Sequence, residues 1–288
     1  MSRVAEQPWT LGRLLTWTTN HFAKQGFEAP RLEAEVLLAH AQGCKRIELY
    51  TRFDEVAEES VRNRFRELVR QRLEGCPVAY LVGVKEFFSL EFEVSPAVLI
   101  PRPDTETLVL ATLEAAAPGC SLLEIGTGSG AVAIALAKHL PSAEVTATDR
   151  SAEALEVARR NAVRHGVASR VRFLQGDLFE PLDANARFDL IISNPPYIPT
   201  AEIETLAQTV RAFEPRIALD GGPDGLAVIQ RLIAEAPPLL NPGGWLLLET
   251  SPNQQMEAAK RMEAAGLEVQ APMADSAGRP RVARGRKR

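Results

Sequence analysis

The feature that most constrains this chain is a short apolar run, Ser121-Leu122-Leu123-Glu124-Ile125, which stops at Gly126-Thr127-Gly128-Ser129-Gly130 and passes at once into a helix-forming segment from Ala131 to about His139. A buried strand that turns through glycines into a helix must return to a parallel neighbour by a crossover, which commits the chain to an α/β sheet. The pattern recurs. A strand over Glu144 to Thr148 ends at Asp149, with Ser151 placed to cap the next helix; Val171-Arg172-Phe173-Leu174-Gln175 ends at Gly176-Asp177; and Phe188-Asp189-Leu190-Ile191-Ile192-Ser193 ends at Asn194-Pro195-Pro196-Tyr197. Open sheets of this kind collect their ligands at the carboxyl ends of the strands, so these loops are expected to share one site.

The residue types in the loops narrow the ligand. Glycines tolerate positive φ and let a ligand approach the backbone. Gly126-x-Gly128-x-x-Ala131 fits a loose dinucleotide fingerprint, yet Glu124 just before it would repel a pyrophosphate, whereas it can pair with a cationic amino group. Asp149 is placed for the two hydroxyls of a ribose, and Asp177 for an adenine N–H. Three acids around a glycine turn suit an adenosine that carries methionine and a positive sulfur, so the cofactor expected is S-adenosylmethionine, held by Glu124, Gly126, Thr127, Gly128, Gly130, Asp149, Asp177 and Asn194. Asn194, Pro195, Pro196 and Tyr197 suit a planar group bearing an NH2. The Asn194 carbonyl accepts one N–H and the Pro195 backbone carbonyl the other; two prolines remove competing donors; Tyr197 offers a face for stacking. Asn194, Pro195 and Tyr197 are the expected catalytic residues.

Residues 1–78 read as a small helical domain. Leu11, Leu14, Leu15 and Thr18, then Leu32, Val36, Leu37 and His40, then Val61, Phe65, Leu68, Val69 and Leu73 repeat at helical spacing, with Gly26, Gly43 and Gly75 at the ends. Residues 79–103 read as a β-hairpin linker: Phe88, Leu90, Phe92 and Val94 alternate with polar residues, and Val98-Leu99-Ile100 is expected to return beside them across Ser95-Pro96-Ala97. Residues 104–288 form the catalytic domain. Asp104, Thr105 or Thr107 is expected to cap its first helix, and Asp104 and Glu106 to favour that helix's dipole.

Composition limits the rest. No apolar run approaches the ~20 residues of a membrane span, and the polar N-terminus has no signal-peptide core, so a cytoplasmic protein is expected. Cys44, Cys76 and Cys120 are widely spaced without a C-x-x-C, and His21, His40, His139 and His165 show no ligand spacing, so no metal is implied. The net charge of −4 argues against a general nucleic-acid binder. Arg279, Arg281, Arg284, Arg286, Lys287 and Arg288 form a basic tail that is either solvated or able to reach phosphates.

Taken together, Pro101-Arg102-Pro103-Asp104-Thr105-Glu106-Thr107, the Glu124 to Gly130 loop, Gly176-Asp177, Asn194-Pro195-Pro196-Tyr197, Phe213 to Leu219, Gly221-Gly222-Pro223-Asp224-Gly225 and Ala277 to Val282 resemble the HemK/PrmC family of protein-(glutamine-N5) methyltransferases. The resemblance covers essentially the whole chain. It implies a Rossmann-like class I S-adenosylmethionine-dependent methyltransferase domain preceded by a small helical bundle and a β-hairpin linker. It also implies transfer of methyl to the glutamine of the Gly-Gly-Gln motif in class I peptide chain release factors, with no membrane partner and a monomeric state. One departure stands out: after Trp245 to Leu248 the family continues with a glycine and then glutamine, where this chain has Glu249-Thr250-Ser251-Pro252-Asn253-Gln254. Two other readings compete. The Asn-Pro-Pro-Tyr motif is shared with methyltransferases acting on adenine N6 or guanine N2 of DNA or RNA, and the fold could serve as an inactive adaptor on translation factors.

Overall fold

A computed structural model describes residues 8–288; residues 1–7, the start of the expected helical domain, lie outside the described residues. The chain divides into two compact units, Met1–Gly83 and Val84–Arg288. The expected 79–103 linker is therefore split: residues up to Gly83 finish the first unit, and the hairpin belongs to the second.

In the first unit the helical repeats fold as α1 (Leu11–Lys24), α2 (Pro30–Gln42), the single turn α3 (Glu48–Thr51), α4 (Glu59–Leu73) and α5 (Val78–Val82). Thr10 caps α1 by accepting from the Arg13 amide at 3.2 Å, and α2 ends where Gly43 takes a left-handed conformation. Leu11, Leu15, Phe22, Leu37, Leu38 and Phe65 meet in the core. Glu35 is also buried, and it is not left unpaired: Arg31 and Arg46 reach it at 3.0 and 2.7 Å, and Tyr50 donates a further hydrogen bond.

The second unit opens with the hairpin β1 (Val84–Phe87) and β2 (Leu90–Glu93). The expected hairpin is corrected here. Phe88 and Ser89 both adopt positive φ, 50° and 59°, as a two-residue hairpin turn demands, so the alternation from Phe88 belongs partly to a turn. Val98-Leu99-Ile100 runs as a loop rather than returning beside the strand.

After α6 (Glu106–Ala115) come β3 (Ser121–Ile125), α7 (Ala131–His139), β4 (Glu144–Asp149), α8 (Ala152–Arg164), β5 (Val171–Gln175), β6 (Phe188–Ser193), α9 (Gln208–Arg211), α10 (Ala227–Glu235), β7 (Leu240–Glu249), α11 (Gln255–Ala264), β8 (Leu267–Ala274) and β9 (Pro280–Lys287). The seven strands lie in the order β5-β4-β3-β6-β7-β9-β8, parallel from β5 to β7 and antiparallel where β9 enters between β7 and β8. The strand order reverses between the parallel neighbours β3 and β6, which is the crevice where a ligand is expected. The parallel strands are apolar on both faces because both are covered. Leu122, Val145, Leu190 and Leu247 pack under α6 and α7, whereas Leu123, Ile191, Leu246 and Leu248 pack under α10 and α11.

The basic C-terminal segment is not a free tail. Several of its cations are engaged within the unit: Arg281 reaches Asp104 at 2.7 Å and Asp275 at 3.2 Å, Arg284 reaches Glu114 at 2.9 Å, Arg286 lies over Trp245, and Lys287 Nζ donates to the Pro237 and Leu240 carbonyls. No helix among the described residues is long and apolar enough to cross a membrane.

Candidate active site

The carboxyl ends of β3, β4 and β6 open on one cavity of about 550 Å³ within the second unit. Its walls bring together Glu124, Gly126, Thr127, Gly128, Asp149, Asp177, Asn194, Pro195 and Pro196. Nearly every loop singled out from the sequence therefore contributes to one site. Gly130 stands just behind it as the left-handed N-cap of α7.

The glycine loop is held from below. The amides of Gly126 and Thr127 both donate to the Thr148 carbonyl, at 2.9 and 3.0 Å, which clamps the loop to the neighbouring strand. Gly126 and Gly128 have φ of +74° and +55°, and a Cβ added to either would meet no protein atom within 4 Å. Both glycines line the cavity. Asn161, fully buried on α8, donates to the Ser129 carbonyl at 2.9 Å and the Glu93 carbonyl at 3.0 Å while accepting from the Glu93 amide at 2.7 Å. That one side chain joins the glycine loop to the hairpin, a tie that no local pattern announced.

The acids divide by environment. Glu124 is buried; its Oε2 accepts from Thr127 Oγ1 at 2.6 Å and from the Ala133 amide at 3.1 Å, so it orders the loop and the first turn of α7. Burial pushes its carboxyl up to about 8 despite those donors. Asp149 accepts from the Gly128 amide at 2.8 Å and the Ser151 amide at 2.9 Å, and Ser151 caps α8 as expected. Burial raises the Asp149 carboxyl as well. With two donors used, a carboxylate keeps lone pairs for ligand hydroxyls. Asp177 lines the far wall with its Oδ2 2.7 Å from Arg231, so its charge is already paired.

The Asn194 loop is braced on its outer side. Ile198 exchanges backbone hydrogen bonds with Leu219 and Gly221, and Thr200 donates to Gly222. Gly225 lies so close to the Tyr197 carbonyl that a Cβ there would come within 2.3 Å of the oxygen. Gln254 completes the brace: its Nε2 donates to the Tyr197 and Gly225 carbonyls at 2.9 and 3.2 Å, and its Oε1 accepts from the Ser251 amide at 3.2 Å. The segment that departs from the family pattern thus supports the Asn194 loop through a Ser251–Gln254 capping box.

Two expectations are corrected. The Tyr197 side chain does not line the cavity; it packs against the core beneath α10 and α11, with its hydroxyl 3.5 Å from Glu249 Oε1, and burial pushes it up to about 12. It is not a stacking face for a ligand. Thr105 and Asp104 do not cap α6: no side chain caps that helix, Asp104 pairs with Arg281 and Arg279, and Thr105 Oγ1 accepts from Asn194 Nδ2 at 3.1 Å. Opposite Asn194, Arg102 lines the cavity while ion-paired to buried Glu214, which also accepts from the Ile100 amide at 3.1 Å. His139 and His165 bond the Ala135 and Glu91 carbonyls and serve structure only.

Comparison with known proteins agrees with this geometry. Residues 13–83 match a PrmC N-terminal domain and residues 116–276 a methyltransferase domain. The release factor glutamine methyltransferase of Rhodopirellula baltica is 52% identical over 253 residues, covering 86% of each chain. Those of Geobacter sulfurreducens and Chlorobaculum tepidum are 48% identical over 85% of this chain and 42% identical over 92%, and the matches cover 86% and 93% of those relatives. Among solved structures, a methyltransferase from Pyrococcus furiosus is 27% identical with a TM-score of 0.54, covering 76% of this chain and 98% of that one. Matched along both units at these identities, this chain belongs to the family of release factor glutamine methyltransferases.

Proposed function

We infer that this chain methylates the side-chain amide nitrogen of a glutamine in peptide chain release factors, the glutamine of their Gly-Gly-Gln motif, working in the cytoplasm. The observation that carries the reading is that Asn194 and Pro195 border the same cavity as the Gly126–Gly128 cradle and Asp149. An acceptor pair for an NH2 group thus faces an adenosine-type site.

The residues fit S-adenosylmethionine. The glycine turn at Gly126 and Gly128 leaves open space above the backbone, and the acid beside it suits hydroxyls. The cavity falls within the ~300–1,000 Å³ of small-molecule sites. Gly126, Thr127 and Gly128 would hold it from the backbone side, with Asp149 on the ribose and Asp177 toward the adenine. Bound there, S-adenosylmethionine supplies a methyl group carried on positive sulfur.

The protein's own part is positioning. An amide nitrogen is a weak nucleophile because its lone pair is delocalised into its carbonyl. Asn194 Oδ1 and the Pro195 carbonyl accept one amide hydrogen each, which fixes the nitrogen's direction and raises its electron density. Holding reacting atoms ~3–3.5 Å apart removes most of the entropic part of the barrier. No dedicated base is required, since the nitrogen proton becomes acidic only as the new bond forms.

The test is transfer of labelled methyl from S-adenosylmethionine to a purified release factor, beside the same factor with its Gly-Gly-Gln glutamine replaced. Label is expected on the first alone. Asn194→Ala should cut turnover by at least ~100-fold, the scale of losing one well-placed polar contact to the reacting group. Full activity in that variant would overturn the assigned role, and labelling of DNA or RNA in place of the factor would overturn the substrate.

A further inference from the structure

The residues assigned to S-adenosylmethionine so far are acids, glycines, Thr127 and Asn194. None is a cation, yet the amino-acid end of that molecule carries a carboxylate, and a carboxylate taken from water needs a charged or hydrogen-bonding partner in return. The strand order says where it lies. Asp177 follows β5, Asp149 ends β4, the glycine loop follows β3 and Asn194 follows β6, and these strands are neighbours in that order, about 4.8 Å apart. With the adenine toward Asp177 and the ribose on Asp149, the amino-acid end falls at the β3–β6 end of the cavity, beside the place where the methyl group meets the substrate amide.

Four arginines border the cavity: Arg102, Arg150, Arg216 and Arg231. Arg231 is paired to Asp177 at 2.7 Å and Arg150 directly follows Asp149, so both belong to the adenosine end. Arg216 is exposed and reaches Asp220 at 3.3 Å. Arg102 stands at the other end, since Thr105, three residues on, accepts from Asn194 Nδ2 at 3.1 Å. Its side chain is 35% exposed and is held by Glu214, whose own side chain is 2% exposed. Both Glu214 oxygens are occupied: Oε1 accepts from the Arg102 Nη2 group and Oε2 from the Ile100 amide at 3.1 Å. The acid therefore fixes the arginine together with the backbone that carries it. A guanidinium has five N–H donors in a rigid fork, so the hold on Nη2 leaves others for a ligand carboxylate.

We propose that Arg102, held in place by Glu214, binds the carboxylate at the amino-acid end of S-adenosylmethionine. The proposal rests on the placement of the cofactor in this cavity with its adenosine toward Asp149 and Asp177. It gives the buried Glu214 a function and supplies the one charge that the glycine loop and its acids leave unanswered.

Calorimetric titration of the full chain with S-adenosylhomocysteine, and with its decarboxylated analogue that keeps the adenosine, the sulfur and the amine, isolates the carboxylate. Wild type should bind the first at least about tenfold tighter, the scale of one charge-assisted contact. Arg102→Met combined with Glu214→Gln leaves no unpaired charge buried and keeps an acceptor for the Ile100 amide. In that double variant the preference should shrink to within about threefold through weaker binding of S-adenosylhomocysteine, with affinity for the analogue unchanged within about twofold. Equal affinity of wild type for the two ligands would overturn the proposal, and that arm uses no variant, so it stands whether or not the substitutions fold. A tenfold preference that survives in the double variant would overturn the assignment to Arg102, as would unchanged S-adenosylhomocysteine affinity with a raised KM for the release factor, which would put the arginine on the substrate. Wild type that binds neither ligand would overturn the placement of the cofactor itself, whereas intact binding without labelling of a release factor would overturn only the functional reading.

Discussion

Gln254 offers the sharpest test of how the Asn194 loop is held, because it bonds the loop without touching the cavity. Replacing it by methionine keeps length and volume and removes every polar atom. Three hydrogen bonds then disappear: Nε2 to the Tyr197 carbonyl at 2.9 Å, Nε2 to the Gly225 carbonyl at 3.2 Å, and the Ser251 amide to Oε1 at 3.2 Å. The site is closed, since Gln254 is 8% exposed, so water does not simply replace the lost donors. At a net ~0.5–1.5 kcal/mol for each neutral hydrogen bond, and more for a buried carbonyl left unpaired, Gln254→Met should cost about 2–4 kcal/mol. For a unit of the size of Val84–Arg288, ~2–4 °C per kcal/mol places the fall in its calorimetric midpoint on the order of 10 °C. Kinetics should separate the two halves of the site. The glycine cradle and Asp149 are held by Thr148, Asn161 and Ser151, not by Gln254, so S-adenosylmethionine affinity at a temperature below the transition should stay within about twofold. Turnover should fall by about tenfold or more as the Tyr197 carbonyl loses its anchor, because small displacements of a positioning group are costly. A stability loss below about 0.5 kcal/mol would refute the reasoning about the brace. An equal loss of cofactor affinity would refute the separation of the two halves.

Two predictions concern buried carboxyls. Below about 4.5 the Glu124 carboxyl is protonated in folded and unfolded chains alike; as pH rises toward 8 the unfolded chain releases the proton and the folded site retains it, so burial of Glu124 subtracts increasing stability across that window. Glu124→Gln in the ligand-free protein should therefore gain on wild type as urea unfolding is repeated from pH 5 to pH 8.5, by at most about 5 kcal/mol at 1.36 kcal/mol per pKa unit, and a pH-independent difference would refute this. Glu249 is pushed up to about 7 by burial, against Thr105, Arg281 and the Tyr197 hydroxyl and with Asp104 adding to the rise. Glu249→Gln should likewise gain on wild type as urea unfolding is repeated from about pH 4.5 to 7, where the unfolded chain ionises and the buried carboxyl does not, and a pH-independent difference would refute this.

Much of this site could be read from sequence because the relevant signals are local. An apolar run, a glycine turn and a helix start announce β3 and its loop within ten residues, and the acid after β4 needs only the next strand to be located. Ser151 caps α8 through a contact three residues away. What failed had partners far along the chain. Thr105 looked like a cap because a hydroxyl before a helix usually is one, yet it accepts from Asn194, which only the sheet order brings to it. Tyr197 was expected to offer a stacking face, but it packs against the core, with Ile198 paired to 219–221 beside it. In the basic segment, Ala283-Arg284-Gly285-Arg286 carried the period of a strand, but charge density hid it. Insertion between β7 and β8 supplied the carbonyls and carboxylates that consume the charge. The hairpin was displaced because neither Phe88 nor Ser89 is a residue type that advertises positive φ.

The two buried glutamates show how one architecture prepares both halves of the reaction. Glu124 and Glu249 each occupy the carboxyl end of a strand, β3 and β7, on either side of β6, whose loop carries Asn194. A parallel strand end leaves the following loop with donors that must be satisfied and no further ladder to satisfy them. A buried acid placed there can accept them: Glu124 takes Thr127 and the Ala133 amide, and Glu249 Oε1 has the Tyr197 hydroxyl at 3.5 Å. Burial makes each carboxyl hard to ionise, and that same burial makes its hydrogen bonds strong and directional. Glu124 thereby orders the glycine loop from the cavity wall, and Glu249 packs beneath the Asn194 loop beside Tyr197. Removing Glu124 should therefore loosen the glycine loop while leaving the Asn194 loop, held by Gln254 and the 219–222 backbone, intact.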